Sequence, residues 1–364
     1  MKILVLANND VGLYNFRKEL LQTLISDNHE VTVSLPIGNK VKELEKIGCV
    51  FVNTWIDRRG RNPFCDVILF FEYCKLMYSL KPDVVITYTI KPNIYGGIAA
   101  RFNKIPTIGY IAGLGTPMQK KNLQSRILTL MYKEALKKAR TVFFENEGSL
   151  AYFIKNKMIG TQYVKIPGAG VNLSEFSYSE YPVNNSPVKF LFIGRIMREK
   201  GIEEILHCAK KIKECHLDAV IELLGDYEEN YKNKIDLYCR DRYINYYGFQ
   251  EDVKPYIKNA HCIILPSYHE GMANVLLESA AIGRPLITSN IQGCKEVVDD
   301  KQNGFLVNAK DEFDLLEKLK KFVFLSYVDK KIMGKKSREI VESRFDRSIT
   351  TEMMISAIRK IHVS

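Results

Sequence analysis

The sequence predicts an α/β protein made of two Rossmann-like domains, each a doubly wound, mostly parallel sheet. Three observations carry this. The chain has 364 residues, and at about 100 to 200 residues per domain that length favours two. Hydrophobic residues at 46% and charged residues at 26% match ordinary folded soluble proteins, which excludes disordered, collagen-like and disulfide-scaffold classes. Finally, short β-branched runs alternate with longer amphipathic segments along nearly the whole chain, the grammar of βαβ units.

The elements follow in order. Ile3 to Leu6 reads as a first strand, Phe16, Leu20, Leu21, Leu24 and Ile25 mark a helix, and Val31 to Leu35 a second strand. Val84 to Thr87, Thr107 to Tyr110 and Thr141 to Phe144 continue the pattern, with Asn122 to Arg140 as a helix before the last of them. Ser177 to Pro187 is polar, carries two prolines and lacks periodicity, so it reads as a linker. The grammar then restarts with strands Phe190 to Ile193, Val220 to Leu224, Ile244 to Tyr247, Cys262 to Leu265 and Leu286 to Thr288. Residues 348 to 362 form a last helix with no strand after it. The predicted organisation is domain 1–178, linker 179–187, domain 188–347, and a C-terminal segment 348–364 for which packing back on the first domain is one arrangement. Open α/β sheets bind ligands at the carboxyl ends of their strands, so the active cleft is expected where the two domains face each other.

Composition narrows the function. The longest uncharged stretch, Ile105 to Gln119, carries two Pro and three Gly, so no membrane span is expected. Met1 to Ala7 is too short for a signal peptide's apolar core, which points to a cytoplasmic protein. Eight cysteines are scattered with no C-x-x-C pair, the pattern of reduced structural thiols. Of the net charge of +11, residues 1–180 carry +9. That asymmetry suggests an anionic partner for the first domain: a phosphate-bearing substrate, an acidic membrane surface or a nucleic acid. A nucleic-acid binder would interleave stacking aromatics with Lys and Arg in a recognisable module, and none is present.

After the second domain's first strand comes Gly194-Arg195-Ile-Met-Arg198-Glu199-Lys200-Gly201, opening a helix. A glycine turn admits a ligand to the backbone, a helix N-terminus favours anions, and Arg195 with Lys200 supplies two cations for a diphosphate. A solvated basic loop is the plainer alternative. Pro266 to Pro285 is sharper: Glu270 falls at the carboxyl end of a strand, and Glu278 lies about two turns into the following helix. Val275, Leu276, Leu277, Ala280, Ala281 and Ile282 surround Glu278, where a carboxylate is costly unless it accepts strong hydrogen bonds, as from sugar or ribose hydroxyls. Metal evidence is negative: there is no D-x-D, no H-E-x-x-H and no Cys/His cluster at ligand spacing. G-x-S-x-G is absent, and no G-x-G-x-x-G follows the first strand, which disfavours hydrolase and NAD readings.

The Glu-x7-Glu spacing inside Glu270-Gly-Met-Ala-Asn-Val-Leu-Leu-Glu278, with G-R-x-x-x-x-K-G some 70 residues earlier, resembles the retaining glycosyltransferases of family 4, with the GT-B fold. The resemblance extends to Asn8 to Arg17, Thr89-Ile-Lys91-Pro-Asn93, Gly113-Leu-Gly115 and Pro167 to Asn172, and is greatest toward bacterial capsule and O-antigen transferases. It implies that Arg195 and Lys200 hold the donor diphosphate, Glu278 takes the ribose hydroxyls, and Glu270 contacts the donor sugar. Gly194, Gly271, Met272 and Ala273 would present backbone to the donor, and Gly12 would let the first loop approach the sugar phosphate. Asn15, Arg17, Lys91, Gly113 and Gly115 become acceptor-side candidates, although Gly12 and Gly113 also suit ordinary turns and Lys91 a surface lysine. Where many relatives place a histidine, this chain has Ala112, so no protein base stands in that loop. His29, His207, His216 and His261 read as structural or exposed, and His269 adjoins the site without a clear role.

The implied activity is transfer, with retention, of a hexose or N-acetylhexosamine from a nucleoside diphosphate sugar, UDP-linked by resemblance, to a polysaccharide or polyprenyl-diphosphate-linked acceptor. No cofactor and no metal are expected, because cations and helix dipoles can stabilise the departing diphosphate. A sugar-nucleotide epimerase of similar architecture is the alternative enzyme. The basic, amphipathic segment Asn122 to Arg140 fits a solvated helix face or a peripheral contact with anionic lipid at the inner face of the cell membrane. Arg58-Arg-Gly-Arg61, followed by Phe70 to Tyr73, is a second such patch.

Overall fold

The computed structural model describes residues 1–57, 60, 62–115, 118, 122–160, 162–183 and 187–362. The chain folds into two compact units: Met1–Ala169 with Ser348–Ser364, and Gly170–Arg347. Sequence reading placed the first boundary at 178 and a linker at 179–187. The chain instead enters the second unit at Gly170, because residues 170–183 are bonded into it. The fully buried Arg284 donates to the carbonyls of Ser179 and Glu180 at 3.1 and 2.9 Å, and Tyr181 is buried with its hydroxyl on His261 O at 2.8 Å.

In the first unit the order is β1 (Lys2–Leu6), α1 (Asp10–Ser26), β2 (Glu30–Leu35), α2 (Val41–Lys46), β3 (Val50–Asn53), α3 (Pro63–Leu80) and β4 (Val84–Tyr88). A π-turn at Pro92–Gly96 leads into α4 (Gly97–Phe102), followed by β5 (Thr107–Ile111), α5 (Leu123–Leu136), β6 (Thr141–Phe144), α6 (Glu147–Lys155) and β7 (Tyr163–Lys165). The seven strands are ordered β3-β2-β1-β4-β5-β6-β7, all parallel. Strand order reverses between β1 and β4, the topological switch point at which such sheets bind ligands. Helix starts follow local chemistry: the Asn9 side chain caps α1 by accepting from Gly12 N, Pro63 occupies the first turn of α3, and Asn122 and Ser125 form a capping box on α5. The helix running from Arg347 to His362 contributes Met354, Ile355 and Ile358 to the core over β1, β2 and β4.

In the second unit the order is β8 (Val188–Ile193), α7 (Ile202–Glu214), β9 (Ala219–Leu224), α8 (Lys232–Arg240), β10 (Ile244–Tyr246), α9 (Lys254–Asn259) and β11 (Cys262–Leu265). Then come α10 (Asn274–Ile282), β12 (Leu286–Ser289), β13 (Gly304–Val307), α11 (Glu312–Val323) and α12 (Tyr327–Arg344). Six parallel strands run β10-β9-β8-β11-β12-β13. Adjacent β8 and β11 are the consequential pair, because the loops after both carry the residues singled out by sequence.

Candidate functional site

The loop after β8 ends in a 3-10 turn, Arg198–Lys200, closed by Gly201 at φ +76°. Glycine is required there: a Cβ at Gly201 would stand 2.3 Å from the carbonyl oxygen of Pro266, in the loop after β11. That approach, with Tyr268 N on Glu199 O at 2.8 Å, zips the two loops together. The result is a 2.5 Å ion pair between Lys200 Nζ and Glu270 Oε1, with side chains only 18% and 12% exposed. The fully buried Ser267 donates its hydroxyl to the same Oε1 at 2.8 Å. Glu270 is therefore oriented by two donors and Lys200 is held at the carboxyl edge of the sheet.

Arg195, by contrast, is 54% exposed and reaches Glu228 at 3.4 Å, which leaves it the more movable cation. Gly194 packs backbone to backbone against the carboxyl end of β9, its N–H donating to Leu224 O at 2.9 Å and its carbonyl leaving no room for a Cβ at Gly225. Of the backbone N–H groups of Gly271, Met272 and Ala273, that of Ala273 is already bonded to Gly293 O at 2.8 Å. Ala273 thus corrects the sequence reading: its N–H ties down the loop after β12 and cannot also serve a phosphate. Met272 and Ala273 are both buried beneath this junction.

Glu278 lies in the middle of α10, half-buried between helix positions filled by Leu277, Ser279 and Ala281. Burial is the largest influence on its carboxyl, pushing the pKa up to about 7; Glu175 adds to the rise, while Arg347 and Lys254 oppose it. Among the described residues no hydrogen bond or ion pair reaches this carboxylate. A half-buried carboxylate with no protein donor keeps its acceptor capacity for hydrogen bonds from outside the chain, and paired hydroxyl groups have the chemistry to supply them.

The first unit's candidates divide. Gly12 sits in the first turn of α1, where a Cβ would press to 2.9 Å on Asn9 Oδ1, the capping atom itself. Asn15 is exposed on α1. Arg17 is buried and corrects the sequence expectation of an acceptor-side cation. Its guanidinium stacks 4.1 Å over Tyr110 and bonds Glu145 at 3.2 Å, while Tyr110 OH donates to the same carboxylate at 2.6 Å. This cation is committed to holding the ends of β5 and β6 together. Lys91 is paired with Asp66 at 2.7 Å, with Tyr95 OH on the other Asp66 oxygen at 2.9 Å, so it is a partly buried, oriented cation and not a loose surface lysine. Gly113 and the positive-φ Gly115 follow β5, next to exposed Ala112. Arg58, Arg59 and Arg61 lie outside the described residues.

Thr89 opens the Thr89-Ile-Lys91-Pro-Asn93 motif, and the sequence gives it no role of its own. It stands exposed just past the end of β4, at the switch point, with φ +71°, a conformation costly for a β-branched residue and associated with functional turns. The turn is pinned from below by Thr87 Oγ1 on Asn93 Oδ1 at 2.6 Å and by Asn93 Nδ2 on Tyr110 O at 2.9 Å. Sequence reasoning missed the roles of Ser267 and Asp66. Serine directly after a strand-ending Pro266 was a readable signal; Asp66, 25 residues from Lys91, gave none. Among the described residues, no group of three or more His, Cys, Asp or Glu is placed to hold a metal ion, and no helix is long and apolar enough to cross a membrane.

Two family models match this chain: "Glycosyl transferase 4-like" over residues 2–146 and "Glycosyl transferases group 1" over residues 175–339, between them most of its length. The chain belongs to the family-4 glycosyltransferases. The transferase is 26% identical over 336 residues, 88% of each chain, to the Campylobacter jejuni N,N'-diacetylbacillosaminyl-diphospho-undecaprenol alpha-1,3-N-acetylgalactosaminyltransferase. It is 24% identical over 368 residues to the capsular polysaccharide biosynthesis glycosyltransferase CapM of Staphylococcus aureus, covering 97% of this chain and 95% of that one. Its fold is of the GT-B class and matches that of Anabaena HepE in complex with UDP and glucose with a TM-score of 0.79, at 16% identity, over 99% of this chain and 100% of that one.

Proposed function

We propose that this glycosyltransferase moves a hexose or N-acetylhexosamine, with retained configuration and without a metal ion, from a UDP-linked donor to a polyprenyl-diphosphate-linked acceptor in bacterial surface-glycan synthesis. The observation that carries the donor reading is the division of labour in the second unit. An oriented Lys200–Glu270 pair stands at the carboxyl edge of β8 and β11, and an unpartnered carboxylate, Glu278, stands on the helix that the same loop opens. Diphosphate charge suits Lys200 and the exposed Arg195, ribose hydroxyls suit Glu278, and sugar hydroxyls suit Glu270. In the transfer the bond from sugar C1 to the phosphate oxygen breaks and one from C1 to the acceptor oxygen forms on the same face. The acceptor's proton passes to the departing phosphate oxygen, which needs no protein base where Ala112 stands.

The acceptor reading is supported by the Campylobacter relative, whose name gives an undecaprenyl-diphosphate acceptor and an α linkage. Such an acceptor places the enzyme peripherally at a membrane, on the basic first unit. Calorimetry with UDP, followed by transfer assays with UDP-hexoses and UDP-N-acetylhexosamines on short polyprenyl-diphosphate glycans, tests the proposal. Saturable UDP binding and an acceptor-dependent glycan product are expected. No UDP binding, or conversion of the donor sugar without acceptor, would overturn it.

A further inference from the structure

One buried carboxylate of the second unit takes no part in the chemistry just described. Glu204 lies in the first turn of α7 and is 6% exposed, among buried positions otherwise filled by Ile202, Ile205, Leu206 and Cys208. A carboxylate in a first turn suits the positive end of a helix, and Gly201 before it offers no side-chain cap. The neighbouring Glu203 already meets that need from the surface, where it pairs with Lys234. The helix dipole therefore does not explain why a second carboxylate is buried. What Glu204 does is accept a hydrogen bond from Tyr268 OH at 2.6 Å, the length of a charge-assisted O–H···O bond. Its other oxygen is buried with no partner among the described residues. A group this costly to bury is held in place for the one bond it makes.

Tyr268 belongs to the loop after β11, two residues before Glu270, and three separate elements grip it. Its N–H donates to Glu199 O at 2.8 Å in the loop after β8, its hydroxyl is held by Glu204 of α7, and Lys310, just before α11, stands 5.0 Å from the centre of its ring. Between Tyr268 and the strand, Ser267 donates to Glu270 Oε1, the oxygen that pairs with Lys200. Held by Ser267 and backbone alone, the loop could pivot about the end of β11. The bond from the phenol to a helix that is itself packed in the core fixes its angle, and with it the point from which Glu270 leaves the backbone.

We propose that Glu204 is a positioning residue for the transfer reaction: through Tyr268 it sets the loop that presents Glu270, and so the alignment of the donor sugar. This rests on the reading of Glu270 as the sugar contact. The test follows the full chain by urea denaturation, calorimetry with UDP, and transfer from a UDP-sugar, with kcat taken per molecule competent to bind UDP so that a poorly folded variant stays informative. Tyr268→Phe and Glu204→Leu each strand one partner of a buried bond and should destabilise the fold. The double variant removes both polar groups and should regain stability. It should still turn over about 10- to 100-fold more slowly, because a misplacement of about 1 Å is enough to cost 100-fold, while UDP affinity stays near that of the wild type. Glu204→Gln keeps an acceptor for the phenol and should recover most of the turnover lost in Glu204→Leu. A pair that merely supported the fold would let turnover follow stability. A double variant as active as the wild type, Glu204→Gln as slow as Glu204→Leu, or a loss of UDP affinity equal to the loss of turnover would overturn the proposal. Failure of the wild type to bind UDP would instead refute the donor reading on which it rests.

Discussion

Replacing Glu278 by Gln should make the protein more stable and a worse ligand binder, with a pH signature that separates the two effects. Burial holds the Glu278 carboxyl at about 7 against an ordinary value of 4.5. Between those pH values the unfolded chain gives up a proton that the folded chain keeps, so stability falls as pH rises across that window and is level above it. Two and a half pH units correspond to about 3 kcal/mol at pH 8, an upper bound because Arg347 and Lys254 stand close enough to compensate the charge if they move. Gln does not ionise. Glu278→Gln should therefore match the wild type near pH 4 and exceed it by up to about 3 kcal/mol at pH 8, raising the melting temperature of a unit this size by roughly 6 to 12 °C. At pH 8, where the wild-type carboxyl is ionised, it should lose a charged acceptor worth about 1.5 to 3 kcal/mol, weakening UDP binding on the order of 10- to 150-fold. Urea denaturation from pH 4 to 8 and calorimetry with UDP at pH 8 measure both. If variant and wild type keep a constant stability difference across the range, the carboxylate is not penalised by burial; if UDP affinity is unchanged, Glu278 does not hold the ribose.

Three further outcomes are expected. Glu270→Gln removes the partner of Lys200, so UDP affinity should stay the same or tighten while turnover of the intact sugar nucleotide falls; calorimetry with UDP beside a transfer assay separates the two. Gly201→Ala places a Cβ at φ +76° and 2.3 Å from Pro266 O. The left-handed conformation alone costs roughly 1–2 kcal/mol, and the clash with backbone must add to it, so urea denaturation should show a loss of at least about 2 kcal/mol together with weakened UDP binding. Transfer should persist in EDTA and give an α-linked first product from an α-linked donor by NMR; activity restored only by Mg²⁺ or Mn²⁺, or an inverted product, would contradict the proposed chemistry.

How much could be read in advance follows burial. Inner strands such as β6 and β11 are apolar on both faces, and their sequence-predicted bounds coincide with the observed Thr141–Phe144 and Cys262–Leu265. The strands that escaped notice are edge strands: β3 and β7 of the first sheet and β13 of the second. In β3 the outer residues are exposed and the inner two half-buried, and the apolar run that marks it, Val50-Phe51-Val52, is only three residues long before Asn53. At the site, Lys200, Glu270 and Glu278 stood out because their spacing is local to two loops. The partners Asp66 and Glu145 did not, since 25 and 128 residues separate them from Lys91 and Arg17 and only the fold brings them together. Ala273 failed for a related reason: whether a backbone N–H is free depends on Gly293, a loop away.

The same pairing explains where the chain's charge asymmetry resides. The first 180 residues hold +9 of the +11, which from sequence alone could belong to an acceptor site. Yet Arg17 and Lys91, the cations singled out there, are each balanced by a buried or partly buried carboxylate, and Lys200 in the second unit is balanced by Glu270. Such pairs orient groups and cost little net charge: Arg17 holds the ends of β5 and β6 together, and Lys200 is oriented at the carboxyl edge of its sheet. Lys104, Lys138 and Arg140, which have no ion-pair partner among the described residues, gather instead around a cavity at the amino ends of β5 and β6. The basicity of the first 180 residues is therefore divided between balanced pairs, Arg17 with Glu145 and Lys91 with Asp66, and cations such as Lys104 and Arg140 that have no ion-pair partner among the described residues.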